Sequence, residues 1–165
     1  MFISIKSKTG LSFKGFTLIE LVVSLAILAL LATMAMPMGE VVVQRNKEQD
    51  LRKALRQIRD GIDAYKQFYD EGHVLKKLET SGYPPSLAVL EEGVEDAKSP
   101  DKKIVYFLRR VPRDPFAPSD INAVDTWGLR SYDSSAKSPI KGDDVFDVYS
   151  QSESNGLNGI PYREW

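Results

Sequence analysis

The sequence predicts an α+β protein, a long N-terminal helix carrying a small antiparallel sheet. Three observations lead there. An almost unbroken apolar run occupies Phe16 to Met38. A charged stretch follows in which apolar residues recur at helical spacing. The rest consists of short alternating segments divided by Pro, Gly and Asn turn signals. A chain of 165 residues suits one domain, or one domain with a tail.

Residues 1–15 are basic, with Lys6, Lys8 and Lys14 and no acid. Without them the chain holds 19 basic against 23 acidic residues. A basic leader before an acidic body points to processing. Residues 16–38 then form the apolar segment, interrupted by Thr17, Glu20, Ser24 and Thr33. As a helix, 23 residues rise about 35 Å, against about 30 Å for a hydrocarbon core. The lysines before it predict a cytoplasmic N-terminus and a translocated remainder, a single membrane pass. Pro37 removes a backbone donor and is expected to kink or loosen the helix.

Residues 39–72 read as an amphipathic continuation. Leu51, Ala54, Leu55, Ile58, Ile62, Tyr65, Phe68 and Tyr69 mark one apolar stripe, and Gly72 is a C-terminal stop. One helix from Phe16 to about Glu71 follows, with only its second half needing a head against it. Residues 73–165 form that head. Tyr83-Pro84-Pro85-Ser86 opens a short helix over Leu87 to Glu92, and Lys103–Arg110 and Asp144–Ser150 read as strands, with Leu129–Asp133 as a third.

The composition excludes several chemistries. There is no cysteine, so no disulfide, thiolate metal site or cysteine nucleophile. There is one histidine, His73, so no histidine metal cluster; it reads as a solvated loop residue. Charge is nearly balanced, at 22 basic and 23 acidic residues. The basic cluster Lys102, Lys103, Arg109, Arg110 and Arg113 has no interleaved stacking platform, so no nucleic-acid partner is expected. Its functional form would be a contact between subunits. Tyr65, Phe68, Tyr69, Tyr106 and Phe107 read as core, and Trp127 and Trp165 as packing anchors. No enzymatic activity is expected.

Lys14-Gly15-Phe16-Thr17-Leu18-Ile19-Glu20 resembles the processing site of type IV prepilins and type II secretion pseudopilins. The resemblance implies cleavage after Gly15 by a prepilin peptidase and N-methylation of Phe16. It also implies a type IV pilin-like fold. Glycine lets a protease approach its carbonyl, and Lys14 holds the site at the cytoplasmic face. Glu20 is costly among Ile19 and Leu21 in lipid, so it is a functional residue with a partner to be named. By resemblance that partner is the Phe16 amine of an adjacent subunit, an arrangement that sets axial register more than stability. An ordinary signal peptide cut after Ala35 is the competing reading, giving a secreted binding module or enzyme starting near Met36.

Tyr83-Pro84, residues 111–116, Trp127-Gly128, residues 145–150 and Gly159…Tyr162…Trp165 look more loosely like a major pseudopilin of type II secretion. The implied partners are copies of the chain in a helical filament, minor pseudopilins, the peptidase, an inner-membrane platform protein and an assembly ATPase acting through it. A type IV pilus subunit for adhesion, motility or DNA uptake is the alternative. Major pseudopilins often bind calcium in a C-terminal loop rich in Asp and Gly. The tail here offers Glu153, Asn155, Asn158 and Glu164 but no aspartate, a poor set for an ion wanting six to eight oxygens. No cofactor is therefore expected. Ala117–Asp125 departs from the family pattern and reads as a surface loop.

Overall fold

The computed structural model describes residues 15–75 and 80–165, with the side chains of residues 34–38 outside that description. The order is α1 (Leu18–Asp70), α2 (Ala88–Glu92), β1 (Val94–Glu95), β2 (Ile104–Val105), a 3-10 turn (Val124–Thr126), β3 (Trp127–Arg130), β4 (Asp147–Ser150) and a closing 3-10 turn (Tyr162–Glu164). This is the expected α+β arrangement of a long helix and small antiparallel sheets. The chain divides into two compact units, one ending at Val41 and one covering Val42–Trp165.

α1 is unbroken through Pro37. In the first unit every described side chain from Gly15 to Thr33 is exposed. Among the described residues no helix is long and apolar enough to cross a membrane.

In the second unit the expected stripe is the core. Leu51, Leu55, Ile58 and Ile62 are at most 2% exposed, beside Leu87, Leu90, Val145, Val148 and Tyr162. α1 ends in a complete Schellman arrangement. Gly72 takes φ +84°, its N–H reaches the Tyr69 carbonyl at 2.9 Å, and the His73 N–H reaches the Phe68 carbonyl at 3.2 Å. The His73 ring stacks on Phe68 with centroids 4.5 Å apart. His73 is therefore a half-buried capping residue rather than a solvated one. Its Nδ1 lies 2.8 Å from Asp96 Oδ1.

The strands are shorter than their sequence patterns. β2 stops at Val105 because the Phe107 and Leu108 N–H groups both turn to the Leu90 carbonyl of α2, at 3.0 and 2.8 Å. β1 and β2 pair antiparallel, Val94 opposite Val105. β3 pairs with β4, Trp127 opposite Ser150 and Arg130 opposite Asp147. Tyr106, expected in the core, is 62% exposed. Most of Ala117–Asp125 is surface, as expected, and ends in a 3-10 turn.

Candidate functional site

The Gly15–Phe16 bond lies outside the helix, in the irregular stretch ahead of Leu18. Phe16 is 79% exposed, and no atom comes within 4 Å of the place a Gly15 side chain would take. An accessible, non-helical bond is what a peptidase requires. Lys14, the expected membrane-face residue, lies outside the described residues.

Thr17 explains why the helix begins where it does. Its Oγ1 accepts the Glu20 N–H at 3.3 Å, the geometry of an N-cap residue satisfying an otherwise orphan donor. Thr-x-x-Glu is a capping-box spacing, and that signal was legible in the sequence. It places Glu20 in the first turn, where a carboxylate complements the helix dipole. Glu20 is exposed, and its carbonyl accepts the Ser24 hydroxyl at 2.7 Å. The Glu20 carboxylate thus stands at the start of an uncovered apolar helix whose Leu25, Leu28 and Leu31 are more than half exposed.

The C-terminal loop is held by residues that sequence reasoning missed. Glu48 is 8% exposed, and its Oε1 accepts the Leu157 N–H at 2.7 Å and the Tyr162 hydroxyl at 3.1 Å. Gln44 Nε2 donates to that oxygen at 3.4 Å and to the Tyr162 hydroxyl at 3.0 Å. Burial pushes the Tyr162 phenol above its ordinary value, so it remains a donor at neutral pH. Continuing the apolar stripe backward from Leu55 and Leu51 by turns of three and four residues lands on Glu48 and Gln44, which is the signal that could have found them. Further along, Asp147 joins two arginines, Arg59 at 2.8 Å and Arg130 at 3.0 Å, tying α1 to both strands of the second sheet.

The four calcium candidates do not converge. Glu153 and Asn155 line one cleft with Asp125 and Gln151. Asn158 and Glu164 line another, beside Arg52, Arg56 and Arg59. Asn158 Oδ1 is already taken by the Ile160 N–H at 3.1 Å. The four candidates are thus divided between two clefts, one of them rich in arginine. Among the described residues no group of three His, Cys, Asp or Glu could hold a metal.

Residues 11–36 match the family model described as the prokaryotic N-terminal methylation motif. No curated protein and no solved structure matches the chain. Motif and α+β arrangement together are consistent with a type IV pilin-like protein.

Proposed function

We propose that the chain is a non-enzymatic structural subunit of a periplasmic pseudopilus that drives type II protein secretion. The carrying observation is the conjunction of a methylation motif with an apolar helix whose side chains lie exposed from Phe16 onward. An apolar surface of that extent calls for lipid or other helices as cover. In this reading the precursor sits in the inner membrane with its head in the periplasm. A prepilin peptidase cuts after Gly15 and Phe16 is N-methylated. The apolar segment then passes from lipid into the fibre core through a contact that does not close. Minor pseudopilins, a platform protein and an ATPase acting through it would serve assembly, with no cofactor and no nucleic acid.

Glu20 supplies the axial address. A methylated Phe16 amine leaves a positive charge at the positive end of its own helix dipole, which favours a carboxylate partner. Glu20 of a neighbouring subunit meets that need on docking. Replacing Glu20 by Ala should leave cleavage intact and reduce filament yield at least about tenfold, the scale of losing a poorly solvated charge contact. Normal filaments from that variant would remove the proposed role. A surface pilus subunit shares the motif and the helix. Deleting the gene separates the two: loss of protein secretion supports the pseudopilus, and loss of surface fibres with secretion intact supports the pilus.

A further inference from the structure

The C-terminal loop holds two Asn-Gly pairs, Asn155-Gly156 and Asn158-Gly159, and neither is used in the account above. Asparagine before glycine is open to one reaction of its own. The glycine nitrogen attacks the asparagine carboxamide carbon, because no side chain screens that nitrogen. In a folded chain the reaction depends on how firmly the peptide between the two residues is held. The two pairs differ in that respect.

Asn155-Gly156 is held on several sides. Asn155 forms a β-bridge with Pro161, and its carbonyl accepts the Gln44 side-chain amide at 3.4 Å. Gly156 is buried, and its N–H donates to the Ile160 carbonyl at 2.9 Å. A side chain at Gly156 would run into the Trp165 ring, so the backbone there is packed against an aromatic. Turning this peptide to close a ring on the Gly156 nitrogen would break the bridge and the packing together.

Asn158-Gly159 lies at the tip of the same hairpin, and both residues are exposed. One backbone hydrogen bond closes the turn, from the Gly159 N–H to the Gly156 carbonyl at 2.8 Å. No atom comes within 4 Å of the place a Gly159 side chain would take. The Asn158 carboxamide is folded back, since its Oδ1 accepts the Ile160 N–H at 3.1 Å. A side chain bonded to the backbone two positions on lies over the peptide between, here that of the Gly159 nitrogen. The Ile160 donor also polarises the carboxamide carbonyl, which favours attack at its carbon.

The surroundings suit a negative product. Asn158 lines a cleft with Arg52, Arg56 and Arg59 and one acid, Glu164. Arg59 is engaged by Asp147 and by the Trp165 carbonyl, each at 2.8 Å, and Arg52 lies over the Trp165 ring at 4.4 Å. Arg56 is exposed, and among the described residues no ion pair engages it.

We propose that Asn158 is a site of spontaneous deamidation in the folded head, and that the cleft arginines receive the carboxylate it leaves. The Gly159 nitrogen bonds to the Asn158 carboxamide carbon. The carboxamide C–N bond breaks, and its nitrogen leaves as ammonia with the proton that the Gly159 nitrogen gives up. Water then opens the five-membered imide at either carbonyl, giving aspartate or isoaspartate. The loop tip thereby gains one negative charge beside Arg56, whatever the chain assembles into.

The test holds full-length protein in mildly alkaline buffer and follows both asparagines by peptide mass spectrometry with fragmentation. Conversion at Asn158 should run at least about tenfold faster than at Asn155, because less structure must open. In urea the two rates should become similar, since each asparagine is followed by glycine. Asn158→Gln should abolish the change at that position, as its longer side chain must close a slower six-membered ring. Asn158→Asp installs the product. It should raise the melting temperature at low salt, and Arg56→Gln should remove that rise. Equal rates in the folded protein, or no conversion at Asn158, would overturn the site. An Asn158→Asp chain that melts no higher than wild type would overturn the role of the arginines.

Discussion

Glu48 joins α1 to a loop more than a hundred positions away in the chain. A carboxylate in that setting is costly unless it is hydrogen-bonded, and three donors converge on one of its oxygens. Glu48→Ala removes the acceptor and leaves the Leu157 N–H and Tyr162 hydroxyl unsatisfied. Each such group costs about 1–3 kcal/mol, so the head should lose about 2–6 kcal/mol in urea unfolding. The C-terminal loop should also become susceptible to limited proteolysis. With the loop held this way, melts of the wild-type head in calcium and in chelator should coincide. Two aspartates add a pH dependence. The His73 ring and the Lys98 N–H hydrogen-bond Asp96 and hold its carboxyl below the ordinary 3.8. Burial pulls Asp144 upward, but hydrogen bonds from Ser81, the Tyr132 N–H and Ser131 outweigh it and leave its carboxyl below 3.8 as well. A depressed folded value means stability that is present above 3.8 and lost as pH falls through the folded value. Acid unfolding should therefore steepen below that pH, and Asp96→Asn with Asp144→Asn should flatten the slope.

Elements differ in how far the sequence discloses them. α1 was legible almost to the residue because its stripe has a strong period and Gly72 supplies the left-handed stop. Thr17 fixed its other end through a spacing that is equally readable. The methylation motif over residues 11–36 was legible too, since it is a local pattern. β2 was overestimated, because its pattern continues past Val105 while Phe107 and Leu108 hydrogen-bond to Leu90 instead of to a strand. Nothing local announces that exchange. β1, only two residues long, has no period to detect. Tyr106 was misplaced for a related reason: an aromatic in an apolar run reads as core, and only the register shows it facing outward. β3 and β4 are joined by a specific close approach. Gly128 sits opposite Tyr149, and a side chain there would enter the Tyr149 ring. Gly128→Ala should force that ring away and destabilise the head by about 1–3 kcal/mol. The check is thermal melting, with Tyr149→Ser expected to relieve the Gly128→Ala clash in a double-mutant cycle.

For the whole molecule, the two units answer different demands. The head from Val42 onward buries a core and satisfies its own polar groups; among the described residues no buried side-chain nitrogen or oxygen lacks a hydrogen-bond partner. The apolar helix of the first unit leaves its described side chains exposed, and in the proposed account copies of itself supply the cover. In the same account, cleavage after Gly15 would remove the basic leader and free the Phe16 amine to meet Glu20, making that change of partner possible. Everything proposed about assembly depends on that cut. The most direct measurement is therefore intact-mass and fragmentation mass spectrometry of the mature protein purified from its membrane. The account predicts a chain beginning at Phe16, heavier by one methyl group on its N-terminal nitrogen. A mature chain beginning near Met36, or an uncut chain in assembled fibres, would contradict it.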